Sequence, residues 1–208
     1  MSESVNGLSG LSGLSVVSEV PEVAKMLSRR SVKLVGAPGP SEAQIEQALA
    51  AAVCAPDHAK LRGWRFVLVK QPDIVAVGEK AIEVLEAVGK PMTPEKQAST
   101  RAWLEDLPLL VAMAHHVQHD HPKVPVVEQT LSMGAAVMNF ENAMHAIGFS
   151  AYWSTGLGSH TDEMAEYFGF DTLEHQFVGY LAVGTPKNRV IPAERPDPWT
   201  VARWFKAP

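Results

Sequence analysis

The chain has 208 residues, 46% apolar and 20% charged, enough to bury a substantial core, which excludes wholesale disorder and collagen-like or disulfide-scaffold classes. Eighteen Lys and Arg against 23 Asp and Glu leave a formal net charge of −5, so no basic field gathers phosphodiester backbones and nucleic acid is not an expected partner. The single cysteine, Cys54, excludes an intramolecular disulfide and a CxxC motif, suits a cytoplasmic protein, and is expected to be a small buried apolar side chain.

In chain order, Leu-Ser-Gly repeats within residues 6–15 lack the side chains to offset ordering entropy, so residues 1–17 are expected to be a flexible tail and 18–208 one domain. No Lys or Arg precedes the weakly apolar run and no cleavage signal follows, so the start does not read as a secretory leader. Ser18 is placed to cap a first helix over Glu22 to Leu27, which ends at the basic run Ser28-Arg29-Arg30-Ser31. Gly36-Ala37-Pro38-Gly39-Pro40 then breaks the chain. Ser41 and Glu42 open a second helix with Ile45, Leu49 and Val53 at helical spacing, stopped by Ala55-Pro56-Asp57.

After a polar loop from His58 to Gly63, Arg65 to Lys70 is a short apolar run with basic ends, a buried strand with Trp64 and Phe66 expected in the core. A helix runs from Pro72 to about Val88, another from Thr93 to Leu104, and a strand from Pro108 to Met113. Residues 124–147 form a long apolar helix with a narrow polar stripe of Glu128, Ser132, Asn139 and Asn142, expected to be buried on most sides in the core or a dimer seam. Its charged and amide groups exclude a membrane span. Two further strands, Ser150 to Ser154 and Gln176 to Gly184, flank a helical turn around Glu163 to Phe168. Trp199, Trp204 and Phe205 in the Pro-rich tail are surfaces that need a partner to pack on, a second subunit among the candidates.

The usual nucleotide and nucleophile signatures are missing: no GxxxxGK[ST], no GxSxG, and glycines 7, 10 and 13 have the wrong spacing for a dinucleotide turn. The run His115-His116-Val117-Gln118-His119-Asp120-His121 offers imidazoles suited to zinc but matches no metal-ligand spacing, so it is taken as a histidine-rich polar loop and no metal site is assigned. Arg29-Arg30-Ser31, with Lys33 beyond, offers guanidinium forks and a hydroxyl for a phosphate.

Arg29-Arg30-Ser31-Val32-Lys33, the APDHAKLRGWRFVLV stretch from Ala55, Glu128-Gln129, Tyr152-Trp153-Ser154-Thr155-Gly156 and the VGYLAVGTP segment at 178–186 together resemble the FMN-dependent nitroreductase family, in the short bacterial subgroup with an APDH loop. The resemblance runs in order from about residue 20 to the end. It implies an α+β fold, a four-stranded mixed or antiparallel sheet flanked by helices in an intertwined homodimer, with FMN at the subunit interface. It also implies ping-pong hydride transfer from NADH or NADPH to a nitroaromatic or related small-molecule acceptor.

Position by position, the resemblance assigns Arg29, Arg30 and Ser31 to the FMN phosphate and ribityl chain, and Lys33 to the pyrimidine edge of the ring. His58, with Arg62 in its loop, matches a contact to the neighbouring subunit's flavin. Trp153, Ser154, Thr155 and Gly156 border the ring, and Arg189 is a further phosphate contact for which Lys187 serves equally well. Lys60-Leu61-Arg62-Gly63 departs from the Asn or Gln that many relatives carry. No acid–base or nucleophilic catalytic residue is assigned, because a flavin carries the electron chemistry and the protein supplies a slot, a clamp and charge. The rival readings are a metal-dependent hydrolase using the 115–121 cluster, a non-catalytic flavin-binding protein, and a dehalogenase or flavin-fragmenting enzyme using the same slot.

Overall fold

The computed structural model describes residues 19–191 and 194–207. They fall into two compact units, one of residues 30–190 and one made from the two chain ends, through Arg29 and from Ile191 onward. The expected tail at 1–17 and the Ser18 cap lie outside the described residues.

In the larger unit the elements are β1 (Val35–Gly36), α2 (Glu42–Ala52), β2 (Trp64–Val69), α3 (Asp73–Ala87), α4 (Pro94–Glu105), β3 (Leu109–His116), α5 (Val126–Ile147), β4 (Ser150–Ser154), α6 (Asp162–Tyr167) and β5 (His175–Pro186). Local chemistry accounts for several boundaries. Ser41 accepts from the Gln44 amide while the Gln44 side chain accepts from the Ser41 N–H, a complete capping box that starts α2. Thr93 and Thr161 cap α4 and α6 in the same sense, and Gly148, at φ 111°, closes α5 in the left-handed conformation.

The sheet is antiparallel throughout: β2 pairs β3, β3 pairs β5, and both β4 and the two-residue β1 pair β5. The four expected strands are all present, and β1 adds a fifth that ends on Gly36, the first residue of the segment expected only to break the chain. Alternation along β3 divides the core. Leu109, Val111 and Met113 join α2 and α5 on one face, while Leu110, Ala112 and Ala114 join α3, α4 and α6 on the other. Because both faces are covered, β3 is an unbroken apolar run from Leu109 to Ala114.

Four expectations change. β3 continues past Met113 through His115 and His116, so the histidine-rich segment begins as strand and not as loop; the His116 N–H donates to the Gly63 carbonyl at 2.8 Å and extends the ladder. Cys54 is exposed, not buried, because it follows the last turn of α2, where its thiol donates to the Ala50 carbonyl. Trp64 and Phe66 pack against the α2–α5 core but remain half-buried at the edge strand. On α5, Val127, Leu131 and Met138 form an exposed apolar stripe, with Leu131 68% exposed, so the helix is buried on one side only.

In the smaller unit, α1 (Pro21–Ser28) has Val20 at its N-cap with no side-chain cap, and the Arg29 carbonyl accepts from the Arg195 guanidinium at 2.7 Å. The Trp199 and Trp204 rings lie 6.1 Å apart, yet Trp204 is 81% exposed and Phe205 82%. No described helix is long and apolar enough to cross a membrane.

Candidate functional site

A cavity of about 470 Å³ opens beside the β4 edge of the sheet, lined among others by Lys33, Trp103, Tyr152, Ser154, Thr155 and Gly156. Three of the expected ring-bordering residues, Ser154, Thr155 and Gly156, and the expected cation Lys33 therefore meet at one place, whereas Trp153, the fourth, is not in this lining because strand alternation puts it on the other face of β4 from Tyr152 and Ser154. Lys33 is held there by its surroundings. The Trp103 indole N–H donates to the Lys33 carbonyl at 3.0 Å, and the Lys33 ammonium sits 5.6 Å from the centre of the Trp103 ring, within cation–π range. The Val32 N–H donates to the Ala151 carbonyl and ties this segment to the start of β4.

The loop after β4 is pinned from several sides. Ser154 Oγ accepts from the Gly156 N–H at 3.2 Å, Ser159 Oγ donates to the Thr155 carbonyl at 2.7 Å, and the Tyr180 hydroxyl donates to the Leu157 carbonyl at 3.1 Å from beneath. Burial pushes the Tyr180 phenol well up, so it stays protonated and keeps donating. Trp153 is aimed by a β-bulge: the β3–β5 register slips between Met113 and Ala114, and the Trp153 indole donates to the carbonyl of the extra residue, Val178, at 2.9 Å. Gly179 is required there. At φ 113° a β-carbon on it would lie 2.5 Å from the Ser154 carbonyl oxygen.

Arg30 and Ser31 lead into the Val32–Lys33 segment, Arg30 half-buried and Ser31 exposed. Arg29, half-buried, is the C-cap of α1 in the smaller unit. Lys187 forms an ion pair with Asp106, so its charge is already engaged, whereas Arg189 is exposed just beyond β5.

His58 and Arg62 lie elsewhere. Trp64 pairs with His115 and Ser154 pairs with Tyr180, which faces Ala112, so the two places are separated by three strand spacings and three residues, about 14 Å across and about 10 Å along. The loop itself is unusual: Ala59, Lys60 and Arg62 all have positive φ, of 60°, 57° and 51°. Non-glycine residues held in this region mark ligand clamps and strained turns. Asp57 pins the loop by accepting from the Arg62 N–H at 2.8 Å, and His58 Nδ1 lies 2.7 Å from a Glu128 carboxylate oxygen.

Glu128 and Gln129 divide the labour at the start of α5. Glu128 orients His58; the buried Gln129 amide bonds the Gln118 N–H and carbonyl and the Val124 carbonyl, closing the 118–124 turn. His121 Nδ1 accepts from the Lys123 and Val124 N–H groups in the same turn. His115 is 2% exposed, its Nδ1 has no hydrogen-bond partner, and burial first, then His116, His175 and Arg65, lower its pKa. Among the described residues no group of three or more His, Cys, Asp or Glu is arranged to hold a metal ion.

Residues 26–185 match the model of the Nitroreductase family, more than half of the chain. The chain belongs to the nitroreductase family. It is 29% identical over 184 residues to the Escherichia coli (strain K12) protein YdjA, named as an NAD(P)H nitroreductase, covering 86% of this chain and 97% of that one. Among solved structures it is similar to a nitroreductase-like family protein from Bacillus cereus, with TM-score 0.72 and 16% identity over 92% of this chain and 100% of the other. It is similar too to a Desulfovibrio desulfuricans protein described as a nitroreductase in complex with FMN, with TM-score 0.68 and 17% identity over 91% and 100%. The expected α+β nitroreductase fold is thus borne out, and membership makes the chain an oxidoreductase.

Chain patterning did not single out α4, whose Lys96-to-Trp103 face, with Met92 just before the helix, forms a wall of the nitroreductase cavity. Its Thr-Pro start marked a helix but carried no sign of what that helix faces.

Proposed function

We propose that this nitroreductase is an FMN-dependent NAD(P)H oxidoreductase that reduces nitroaromatic or related acceptors by ping-pong hydride transfer, as a cytoplasmic homodimer with two flavin sites at the subunit interface. The carrying observation is the cavity at the β4 edge. It presents Lys33 and the aromatic walls of Trp103 and Tyr152, and among the described residues no carboxylate side chain lines it, which fits a planar group that gains negative charge.

When bound, FMN supplies the two-electron chemistry that links NAD(P)H to the acceptor. Arg29, Arg30 and Ser31, with Arg189, hold its phosphate and ribityl chain through charge-assisted hydrogen bonds. Lys33 supports negative charge at the pyrimidine edge, Ser154, Thr155 and Gly156 border the ring, and Trp103 shields one side from water. His58 and Arg62 sit too far along the sheet to serve their own chain's cavity, which favours their reaching a partner's. The exposed stripe of Val127, Leu131 and Met138 and the aromatic tail supply apolar surface for such an interface.

The test is a visible spectrum of the purified protein before and after NADH or NADPH, followed by product analysis with a nitroaromatic acceptor. Flavin absorbance that bleaches with the nucleotide and returns with the acceptor is expected; a protein that refuses FMN, or stays oxidised, defeats the proposal. Subunit sharing has its own test. A mixed dimer of Arg29→Ala and His58→Ala chains contains one site with both residues intact, so it should regain about half of the FMN lost by each parent; no regain means the two residues serve the same chain's site.

A further inference from the structure

The α4 wall of the cavity carries a second cation that the flavin does not account for. Lys96, Ser99, Thr100 and Trp103 recur at i, i+3, i+4 and i+7, so one face of α4 forms this wall. Lys96 is the third residue of the helix, where its backbone N–H is fixed by the Thr93 hydroxyl at 3.3 Å. Among the described residues the ion pairs engage Lys70, Lys80, Arg101 and Lys187, and leave Lys33 and Lys96 without a carboxylate partner. Lys33 is turned onto the Trp103 ring. Lys96 therefore brings positive charge to a cavity in which no carboxylate of the described residues lines the wall and whose other surfaces include Trp103, Tyr152, Met92 and Leu157.

A carboxylate placed against an ammonium beside apolar walls is favoured, and its neutral isostere gains nothing from that charge. We infer that Lys96 is a specificity residue that selects acceptors bearing a carboxylate on an aromatic ring. This rests on the flavin reading of the same cavity. The aromatic walls favour a ring-borne anion over a phosphate of NADPH, whose adenosine end extends away from its reactive ring.

The experiment compares 4-nitrobenzoate with 4-nitrobenzamide, its uncharged isostere, as acceptors for the FMN-loaded wild type, Lys96→Gln and Lys96→Glu. Benzoate, which cannot be reduced, is titrated calorimetrically into the same proteins. The nitrobenzoate-to-nitrobenzamide ratio of kcat/KM should fall about threefold in Lys96→Gln and about tenfold in Lys96→Glu, with the benzoate Kd rising in step. Lys123→Gln, which removes a charge in the 118–124 turn, should leave the ratio as in the wild type.

Unmoved ratios and benzoate Kd values overturn the inference, as does an equal shift in Lys123→Gln, which reduces the effect to net charge. A change confined to the NADPH-to-NADH ratio assigns Lys96 to the dinucleotide and overturns it too. If the wild type takes up FMN but reduces neither acceptor, the oxidoreductase reading fails by itself, and the benzoate titration still decides what Lys96 does.

Discussion

The two edges of the sheet are built in opposite ways. At the β4 edge, rigidity comes from beneath and behind: a bulge at Val178, a glycine that no other residue can replace, and a buried tyrosine hydroxyl under the loop all locate the cavity wall. At the β2 edge the His58 loop stands on its own strained backbone, steadied by Asp57 and by an exposed His58–Glu128 pair. A wall set by the core suits holding a ring in a fixed slot. A loop steadied by surface contacts suits reaching outward to another subunit, because its geometry becomes definite only once a partner is there.

The largest expected break is Gly179→Val. A β-branched side chain at φ 113°, with its β-carbon pressed on the Ser154 carbonyl, should cost about 3 kcal/mol in thermal or denaturant unfolding and lower FMN retention with it. An unshifted transition would mean that the bulge is not what holds this edge. Next, Arg29→Ala should weaken FMN by about 1.5–3 kcal/mol in a fluorescence titration, the worth of a charge-assisted contact; an unchanged Kd would remove Arg29 from the clamp.

The β2 edge should answer to pH. His115 has its pKa lowered in the folded chain, so the unfolded chain takes up the proton first. Stability is therefore complete above the ordinary histidine value of 6.5 and falls as the pH drops below it, by up to about 1.4 kcal/mol per unit, until the folded pKa is reached. His115→Gln should flatten that part of the profile in urea titrations between pH 7.5 and 5, and an identical slope in the variant would assign the acid sensitivity to other groups. The smallest effect is expected from the exposed loop. His58→Ala and Glu128→Gln should each change unfolding stability by about 1 kcal/mol or less, yet His58→Ala should shed flavin while gel filtration still reports a dimer. Dissociation with flavin retained would make His58 a structural residue.

Much of the site's local chemistry is written in consecutive residues. Lys33 and Ser154-Thr155-Gly156 meet at one cavity because each is anchored to β4 by neighbours in its own segment, so short motifs carried that part. The strands were readable from apolar runs and the helices from Ser41, Thr93 and their periodicity, because capping and alternation act over a few residues. The two-residue β1 was not readable, since its pairing with Thr185 and Pro186 depends on residues about 150 positions away. Nor was the fate of the histidines: whether His115 is solvated or enclosed depends on the Gly63 backbone closing over it, a contact between segments that no local pattern encodes.

By itself the sequence carried the family resemblance in its motifs, most element types in short-range periodicity and capping, and the list of residues able to grip an anion in their side-chain chemistry. Only the tertiary structure decided which of them share a site. Sheet register set the His58 loop on the opposite edge from Ser154, and the packing of α4 beside β4 turned Lys96 and Trp103 toward the cavity, since distances between remote segments are set by strand pairing and core packing and by nothing nearer along the chain.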